Sequence, residues 1–238
     1  MEQLAKSTNG VEVIDNIPVV LDVPAVRKRL RMRTQSSRFE DTVRQMTEIA
    51  ISTARPKAIY KVSCVGAKNS DSVEIDGVSF SSKVLRINLQ KAQRVIPYVV
   101  TCGREVDSIQ MPVREVMKAY CLDVIKMMIV TSAAVYLRDY LASRYQLGEL
   151  SSMHPGEIES WPLAQQKPLF SLLGDVEHLI GVRLTEGHVM IPIKSRSGIF
   201  FPAEIKFESC TLCHSERCTG RRAPYDPELE RKYQETAV

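Results

Sequence analysis

Apolar and polar positions along the chain follow two periods, and the changes between them predict helices and strands in an irregular order. Between residues 38 and 54, apolar side chains recur every three or four positions, as on one face of an amphipathic helix. Residues 58–65 and 96–101 are short runs rich in β-branched residues, which predicts strands. Because no regular strand–helix–strand rhythm appears, we expect an α+β fold with a mainly antiparallel, twisted sheet and packed helices.

The longest helical pattern, over residues 112–145, predicts a central helix in one or two pieces. Its most apolar stretch, Val124 to Leu137, contains Lys126 and is shorter than the roughly 20 residues that a membrane span requires. We therefore expect a buried helix here. The other predicted elements are an entry strand at 17–23, a basic helix opening at Pro24, a hairpin at 69–77, helices at 83–90 and 163–173, and two or three strands within 181–207.

Composition narrows the class of protein. A chain of 238 residues that is 44% apolar and 25% charged is typical of a soluble globular protein with one large domain. The net charge of +4 is small, and the only dense basic run, Arg27 to Arg33, fits a solvated helix face better than a nucleic-acid site. The N-terminal residues show no apolar signal-peptide region, so the expected location is cytoplasmic.

Two stretches carry a family resemblance. The first is His154-Pro155-Gly156-Glu157, followed by Trp161-Pro162-Leu163. The second comprises Leu184-Thr185-Glu186, Met190, Pro192 and Ser195-Arg196-Ser197-Gly198. In these motifs and their joint spacing, the chain resembles the activation domain of cobalamin-dependent methionine synthase.

This resemblance implies an α+β domain that binds S-adenosylmethionine in an extended surface groove and docks a partner that holds a corrinoid. In that family, cobalt oxidised to the inactive cob(II)alamin state is reduced by one electron and trapped by methylation from S-adenosylmethionine. The match implies that residues 81–207 form the activation-domain-like core. Residues 1–80 would belong to the same domain, and residues 208–238 would form a cysteine-rich segment and tail.

A methyl sulfonium ligand with a carboxylate needs a cation for the carboxylate, negative charge near the sulfur and close approach to the backbone. Gly156 beside Pro155 permits such an approach. Because Ser152 carries no charge, Arg183 and Arg196 are the candidates for the cation. The predicted cofactor-binding residues are His154, Pro155, Gly156, Glu157, Glu186, Ser195, Ser197 and Gly198. The alternative is an ordinary Pro-Gly turn with solvated glutamates.

A cysteine cluster follows the family match. Cys210, Cys213 and Cys218 include one C-x2-C pair, a spacing typical of metal ligands. A tetrahedral site needs a fourth ligand. The candidates are His214, Cys64 and Cys102, and Cys102, at the end of a predicted strand, is the expected one. An iron–sulfur cluster, a structural zinc ion and metal-free reduced thiols are the three alternatives.

Together these observations favour an accessory protein of a corrinoid-dependent methyltransferase system. Such a protein docks a cobalamin-binding partner, supports reductive reactivation of cobalt and presents S-adenosylmethionine. Its activity would be reductive methylation of cobalamin or electron transfer to it. The alternative is a non-catalytic module that binds a corrinoid protein and uses zinc for structure.

Overall fold

The structure, a computed structural model, describes residues 6–8, 10–31, 36–203, 206–218 and 220–235. The strands of these ranges are β1 (Lys6–Thr8), β2 (Val11–Ile14), β3 (Lys57–Lys61), β4 (Ser63–Lys68), β5 (Ser72–Ile75), β6 (Val78–Ser81), β7 (Arg94–Thr101), β8 (Leu150–Met153), β9 (Arg183–Leu184), β10 (Met190–Ile191) and β11 (Ser195–Pro202). The α-helices are α1 (Val23–Leu30), α2 (Ser37–Thr53), α3 (Lys83–Asn88), α4 (Arg104–Asp107), α5 (Val116–Arg144), α6 (Gln166–Leu173), α7 (Val176–Ile180) and α8 (Pro227–Glu235). Leu163–Gln165 and Ser209–Leu212 are 3-10 helices.

One antiparallel sheet organises the domain, with β7 at its centre. β11 pairs along one side of β7, whereas β3 and β4 pair in turn along the other side. β8 pairs with the far side of β11, and β9 and β10 form a separate small hairpin. The expected α+β fold with a mainly antiparallel sheet is therefore confirmed.

The two faces of the sheet carry two separate cores. Along β7, Tyr98 and Val100 point into the first core, which α1, α2 and α5 cover. Val95 and Val99 point into the second core, with side chains of α3, α6 and α7. Alternation along the strand produces this division, because successive side chains project to opposite faces. The polar tip of Tyr98 consequently lies on the α5 side of the sheet.

Helix α5 is the central helix that the apolar pattern predicts. By length and composition it is the one described helix that is able to cross a membrane, and 44% of its most apolar window is buried inside the protein. Cys121, Ile125, Ala133 and Leu137 lie in the first core with under 2% exposure. The predicted burial therefore holds for one face of α5, and the helix runs in one piece.

Several other elements differ from the sequence predictions. The expected entry strand at 17–23 is wrong, because this segment is irregular and its Asp22 carboxylate instead caps α1 by accepting a hydrogen bond from the Ala25 amide. The predicted strand 58–65 divides into β3 and β4. Strand β8 is not among the elements that the sequence predicted. Met32 and Arg33 of the basic run lie outside the described residues.

Candidate functional site

The loop that follows β8 closes on itself. The Gly156 amide donates a hydrogen bond to the Trp161 carbonyl over 2.7 Å, and the Trp161 side chain is fully buried. Gly156 has a φ of +86°, a region that favours glycine. A Cβ atom at this position would lie 3.0 Å from Cδ1 of Leu163. The glycine therefore serves the loop's own turn and its packing on Leu163.

This loop places His154 at the centre of a buried hydrogen-bond chain. His154 Nε2 lies 2.9 Å from the Tyr98 hydroxyl, and His154 Nδ1 lies 2.8 Å from Oε2 of Glu157. Tyr98 and His154 are 1% and 7% exposed, so water competes little for these bonds. Tyr98 in turn stacks on Phe200, with ring centroids 4.1 Å apart.

The charges in the chain fix the direction of its hydrogen bonds. Burial lowers the pKa of His154 below its usual range, which keeps the imidazole neutral at pH 7. Burial alone would raise the pKa of Glu157, but the hydrogen bond with His154 and the charge of Arg222 lower it to about 2. His154 Nδ1–H therefore donates a hydrogen bond to the ionised Glu157, and the Tyr98 hydroxyl donates a hydrogen bond to His154 Nε2.

The hydrogen-bonded series that starts at Tyr98 ends at Arg222, which comes from the C-terminal segment. Its Nη2 lies 3.2 Å from Oε1 of Glu157, and its Nε donates to Oε2 of Glu208 over 2.8 Å. Arg222 thus connects the loop after β8 to the residues that follow β11. The side chain of Glu157 is 28% exposed, so its pairing is partly desolvated.

A groove of about 200 Å³ opens beside this chain, between α5, β8, β11 and the C-terminal segment. Its wall includes Ser152 and the apolar side chains Val135 and Phe200. It also includes four cationic side chains, which are Arg138, Arg196, Lys206 and Arg222. Its positive character predicts a ligand with at least one anionic group.

The four cations differ in their pairing. Arg138 pairs with Asp139, Lys206 pairs with Glu208, and Arg222 has the two carboxylates described above. In the part of the chain that the structure describes, Arg196 forms no hydrogen bond or ion pair with a protein group. Among the four groove cations, Arg196 is therefore the one that has no partner in the described residues. Of the two arginines singled out in the sequence, Arg196 lines the groove, whereas Arg183 is exposed on β9.

Gly198 packs directly against the hydrogen-bonded pair Tyr98 and His154. It pairs in register with Tyr98, and a Cβ atom here would lie 2.6 Å from the Met153 carbonyl oxygen and 2.8 Å from Cδ2 of His154. The absence of a side chain lets β11 approach β8 and the imidazole at this level. The structure thus brings together three of the predicted residues, which are His154, Glu157 and Gly198.

The other predicted cofactor-binding residues lie elsewhere. Ser197 is 3% exposed and points to the face of β11 opposite Gly198. The Ser195 hydroxyl donates to the Pro192 carbonyl over 2.7 Å, a contact that fixes the start of β11. Glu186 is exposed in the turn between β9 and β10. Pro155 is buried in the loop after β8.

The predicted metal site needs correction. Cys102 is fully buried in the first core beside the start of β11, because its amide donates to the Lys194 carbonyl. Cys210 follows the opposite end of β11, in a 3-10 helix whose Leu212 belongs to the second core. Cys102 is therefore not a fourth ligand, and burial raises the pKa of its thiol to about 12. Among the described residues, no group of three or more Cys, His, Asp or Glu side chains is arranged to hold a metal ion.

Arg221 organises the cysteine segment instead. Its guanidinium donates to four backbone carbonyl oxygens over 2.7–3.0 Å. The acceptors are Cys210, Cys213, Ser215 and Ala223. These charge-assisted bonds close the segment around one side chain.

Tyr98, Glu208 and Arg222 are not among the residues that the sequence predicted for the site. Tyr98 lies between apolar neighbours in the middle of β7, where a buried hydroxyl needs a partner. That was the available signal, although nothing in the strand identified His154 as the partner. The contact of Arg222 with Glu157 spans 65 residues and arises from the tertiary fold.

Fold and site together define a class: an α+β domain whose curled antiparallel sheet, flanked by helices, ends in a cationic groove at the β8 edge. No protein-family model matches the chain, and no curated protein is similar to it in sequence. Among solved structures it is similar to the reactivation domain of MetH bound to AdoHcy, with a TM-score of 0.52 and 15% sequence identity. The match covers 84% of this chain and 81% of that one. This likeness shows that the two share a fold.

Proposed function

We propose that this protein is an accessory factor of a corrinoid-dependent methyltransferase system, located in the cytoplasm, which presents S-adenosylmethionine to a corrinoid held by a partner protein. The observation that carries the proposal is the groove beside Arg196, on a fold that it shares with a domain solved with AdoHcy. AdoHcy is what remains of S-adenosylmethionine after its methyl group has left. A site for one therefore offers most of the contacts that the other needs.

The groove residues suit parts of this ligand. Arg196 pairs with the ligand carboxylate, because its guanidinium has no partner in the described protein and carboxylates favour bidentate arginine. Glu208 is the acidic residue of the groove wall, and Val135 and Phe200 supply apolar surface. Ser152 adds a neutral hydroxyl beside them.

The size of the groove limits how much of the ligand it encloses. Its volume of about 200 Å³ is below the roughly 300–1,000 Å³ of pockets that enclose a drug-sized ligand. We therefore place the amino-acid end in the groove and the adenosine along the exposed side of α5. In that arrangement the methyl group stays at the surface, where a partner's corrinoid is able to meet it.

The proposed reaction is the reductive methylation of cobalamin, and it requires one electron from an external reductant. One electron converts cob(II)alamin to cob(I)alamin, whose cobalt attacks the methyl carbon as the sulfonium C–S bond breaks. The products are methylcob(III)alamin and S-adenosylhomocysteine. In this scheme the chain supplies positioning of the methyl donor, and the electron comes from outside.

The test is a reconstituted methylation assay. The chain is mixed with the cobalamin-binding module of a cobalamin-dependent methionine synthase loaded with cob(II)alamin, a chemical one-electron reductant and S-adenosylmethionine carrying a labelled methyl group. We expect the chain to accelerate the transfer of label to cobalamin, and Arg196→Gln to remove most of that acceleration. No acceleration, together with binding of the cobalamin module, would favour the alternative of a non-catalytic corrinoid-protein module. If the chain neither accelerates the transfer nor binds the cobalamin module, the proposal is rejected.

A further inference from the structure

The C-terminal segment, residues 206–218 and 220–223, forms one wall of the groove and also carries three cysteines. Arg222 is the link between these two features. Its side chain is held by Glu157 and Glu208, and its backbone amide donates to Sγ of Cys210 over 3.4 Å. The backbone of a groove cation is therefore in direct contact with a thiol.

Cys210 and Cys213 are three positions apart and are joined by one backbone hydrogen bond. The Cys213 amide donates to the Cys210 carbonyl over 3.3 Å, which closes a four-residue turn. Such a turn brings its end Cα atoms within about 7 Å, and disulfides require about 4.4–6.8 Å. Both thiols are partly exposed, so a small oxidant reaches them.

We infer that the C-terminal segment is a thiol-controlled latch on the groove: oxidation of Cys210 and Cys213 to a disulfide withdraws Arg222 from Glu157 and opens the groove wall. In the disulfide, the Cys210 sulfur turns towards Cys213 and away from the Arg222 amide. The turn whose carbonyls bind Arg221 changes shape with it. The disulfide therefore alters two contacts that fix the backbone at Arg222. One is the hydrogen bond from the Arg222 amide to Cys210, and the other is the set of carbonyls that bind Arg221.

The oxidant is a low-molecular-weight disulfide such as oxidised glutathione. The Cys213 thiolate attacks one of its sulfurs, forms a mixed disulfide and releases one glutathione. The Cys210 thiolate then attacks the Cys213 sulfur, closes the protein disulfide and releases the second glutathione. Two cysteine thiols are oxidised, one disulfide is reduced to two thiols, and the two protons pass to glutathione.

The protein contains its own reporter of this change. Trp161 is the only tryptophan, and it is fully buried at the end of the loop that holds Glu157. Release of Arg222 from Glu157 removes a contact that holds this loop, so the environment of the indole changes. Trp161 emission therefore reports the latch without any ligand.

The experiment is an equilibration of the full chain with mixtures of reduced and oxidised glutathione, followed by mass analysis and Trp161 emission. We expect a Cys210–Cys213 disulfide and a red shift of the emission over the same range of redox ratio. Both should vanish in Cys213→Ser and persist in Cys64→Ser, a control at an exposed cysteine. Reduced Arg222→Gln should reproduce the shifted emission.

The inference is overturned if no disulfide forms between these two cysteines, or if it forms without a change in Trp161 emission. A second readout rests on the proposed function: the oxidised protein should bind S-adenosylmethionine roughly tenfold more weakly, which is one factor of ten in Kd. If the reduced protein binds no S-adenosylmethionine, the proposed function fails while the disulfide and emission still decide the latch.

Discussion

Nη2 of Arg222 lies 3.2 Å from Oε1 of Glu157, although the two residues are 65 positions apart in the chain. This contact joins a cysteine-rich segment to a buried histidine, because the other oxygen of Glu157 binds His154. The chain of polar groups ends at the Tyr98 hydroxyl beneath the groove. The groove, the loop after β8 and the C-terminal segment are therefore one connected unit.

Glu157 should make the protein sensitive to acid. The pKa of this carboxyl falls from an ordinary 4.5 to about 2, so its stabilisation is present above pH 4.5 and is lost as pH falls towards 2. We expect Glu157→Gln to lower the free energy of unfolding by about 2–3 kcal/mol at pH 7 and by much less near pH 2. Urea unfolding at several pH values measures this difference. Glu159→Gln, at an exposed neighbour, is the control, and an equal loss in both variants would contradict the role of Glu157.

His154 adds a second acid-sensitive step at higher pH. Its folded pKa lies below the ordinary 6.5, so the unfolded chain takes up a proton first as pH falls below 6.5. The stabilisation is therefore present above pH 6.5 and is lost as pH decreases. We expect His154→Asn to flatten the pH dependence of the melting temperature between about pH 6.5 and 5. An unchanged slope would show that His154 titrates as an exposed histidine does.

Gly198→Ala should destabilise the sheet. The new methyl group would lie 2.6 Å from the Met153 carbonyl oxygen and 2.8 Å from Cδ2 of His154, so β8 and β11 must separate. We expect a loss of about 2–3 kcal/mol, as for an overpacked core. Thermal or urea unfolding measures it. Gly148→Ala is the matched control, because a Cβ atom there meets nothing within 4 Å. Equal stabilities of the two variants would contradict the close approach.

Arg221 should hold the cysteine segment in place without a metal. Lysine lacks the fork that reaches four carbonyl oxygens, so Arg221→Lys should open the segment to proteases at a rate roughly tenfold higher. Limited proteolysis with mass analysis of the cut sites checks this, with Arg217→Lys at an exposed position as the control. A wild-type segment that becomes sensitive only after treatment with a chelator would instead indicate a bound metal.

The sequence predicts elements with strong periodicity and misses contacts made by the tertiary fold. The predicted helix 38–54 is α2, because Ser36 caps it and Phe39, Val43 and Met46 form a buried stripe. Strand β8 was missed because its Leu-Ser-Ser-Met sequence has no β-branched residue, and pairing with β11 alone makes it a strand.

The candidate site was predicted only in part, because the sequence shows local motifs and does not show which distant residues contact them. His154, Glu157 and Gly198 belong to motifs that are visible in the sequence, and Arg196 was named as a cation. Their partners Tyr98 and Arg222 come from a distant strand and a distant loop. The spacing of Cys210 and Cys213 favoured a metal, whereas the contacts that organise their loop come from Arg221, which spacing alone does not reveal.

Calorimetric titration of the reduced chain with S-adenosylmethionine is the most direct test of the central claim, that the groove beside Arg196 holds this ligand. We expect saturable binding at one site, weakened roughly tenfold or more by Arg196→Gln, since a lost charge-assisted pair amounts to about 1.5–3 kcal/mol. Arg183→Gln, at an exposed arginine on β9, should bind as the wild type does. Absence of binding by the wild type, or equal binding by the wild type and Arg196→Gln, would contradict the claim.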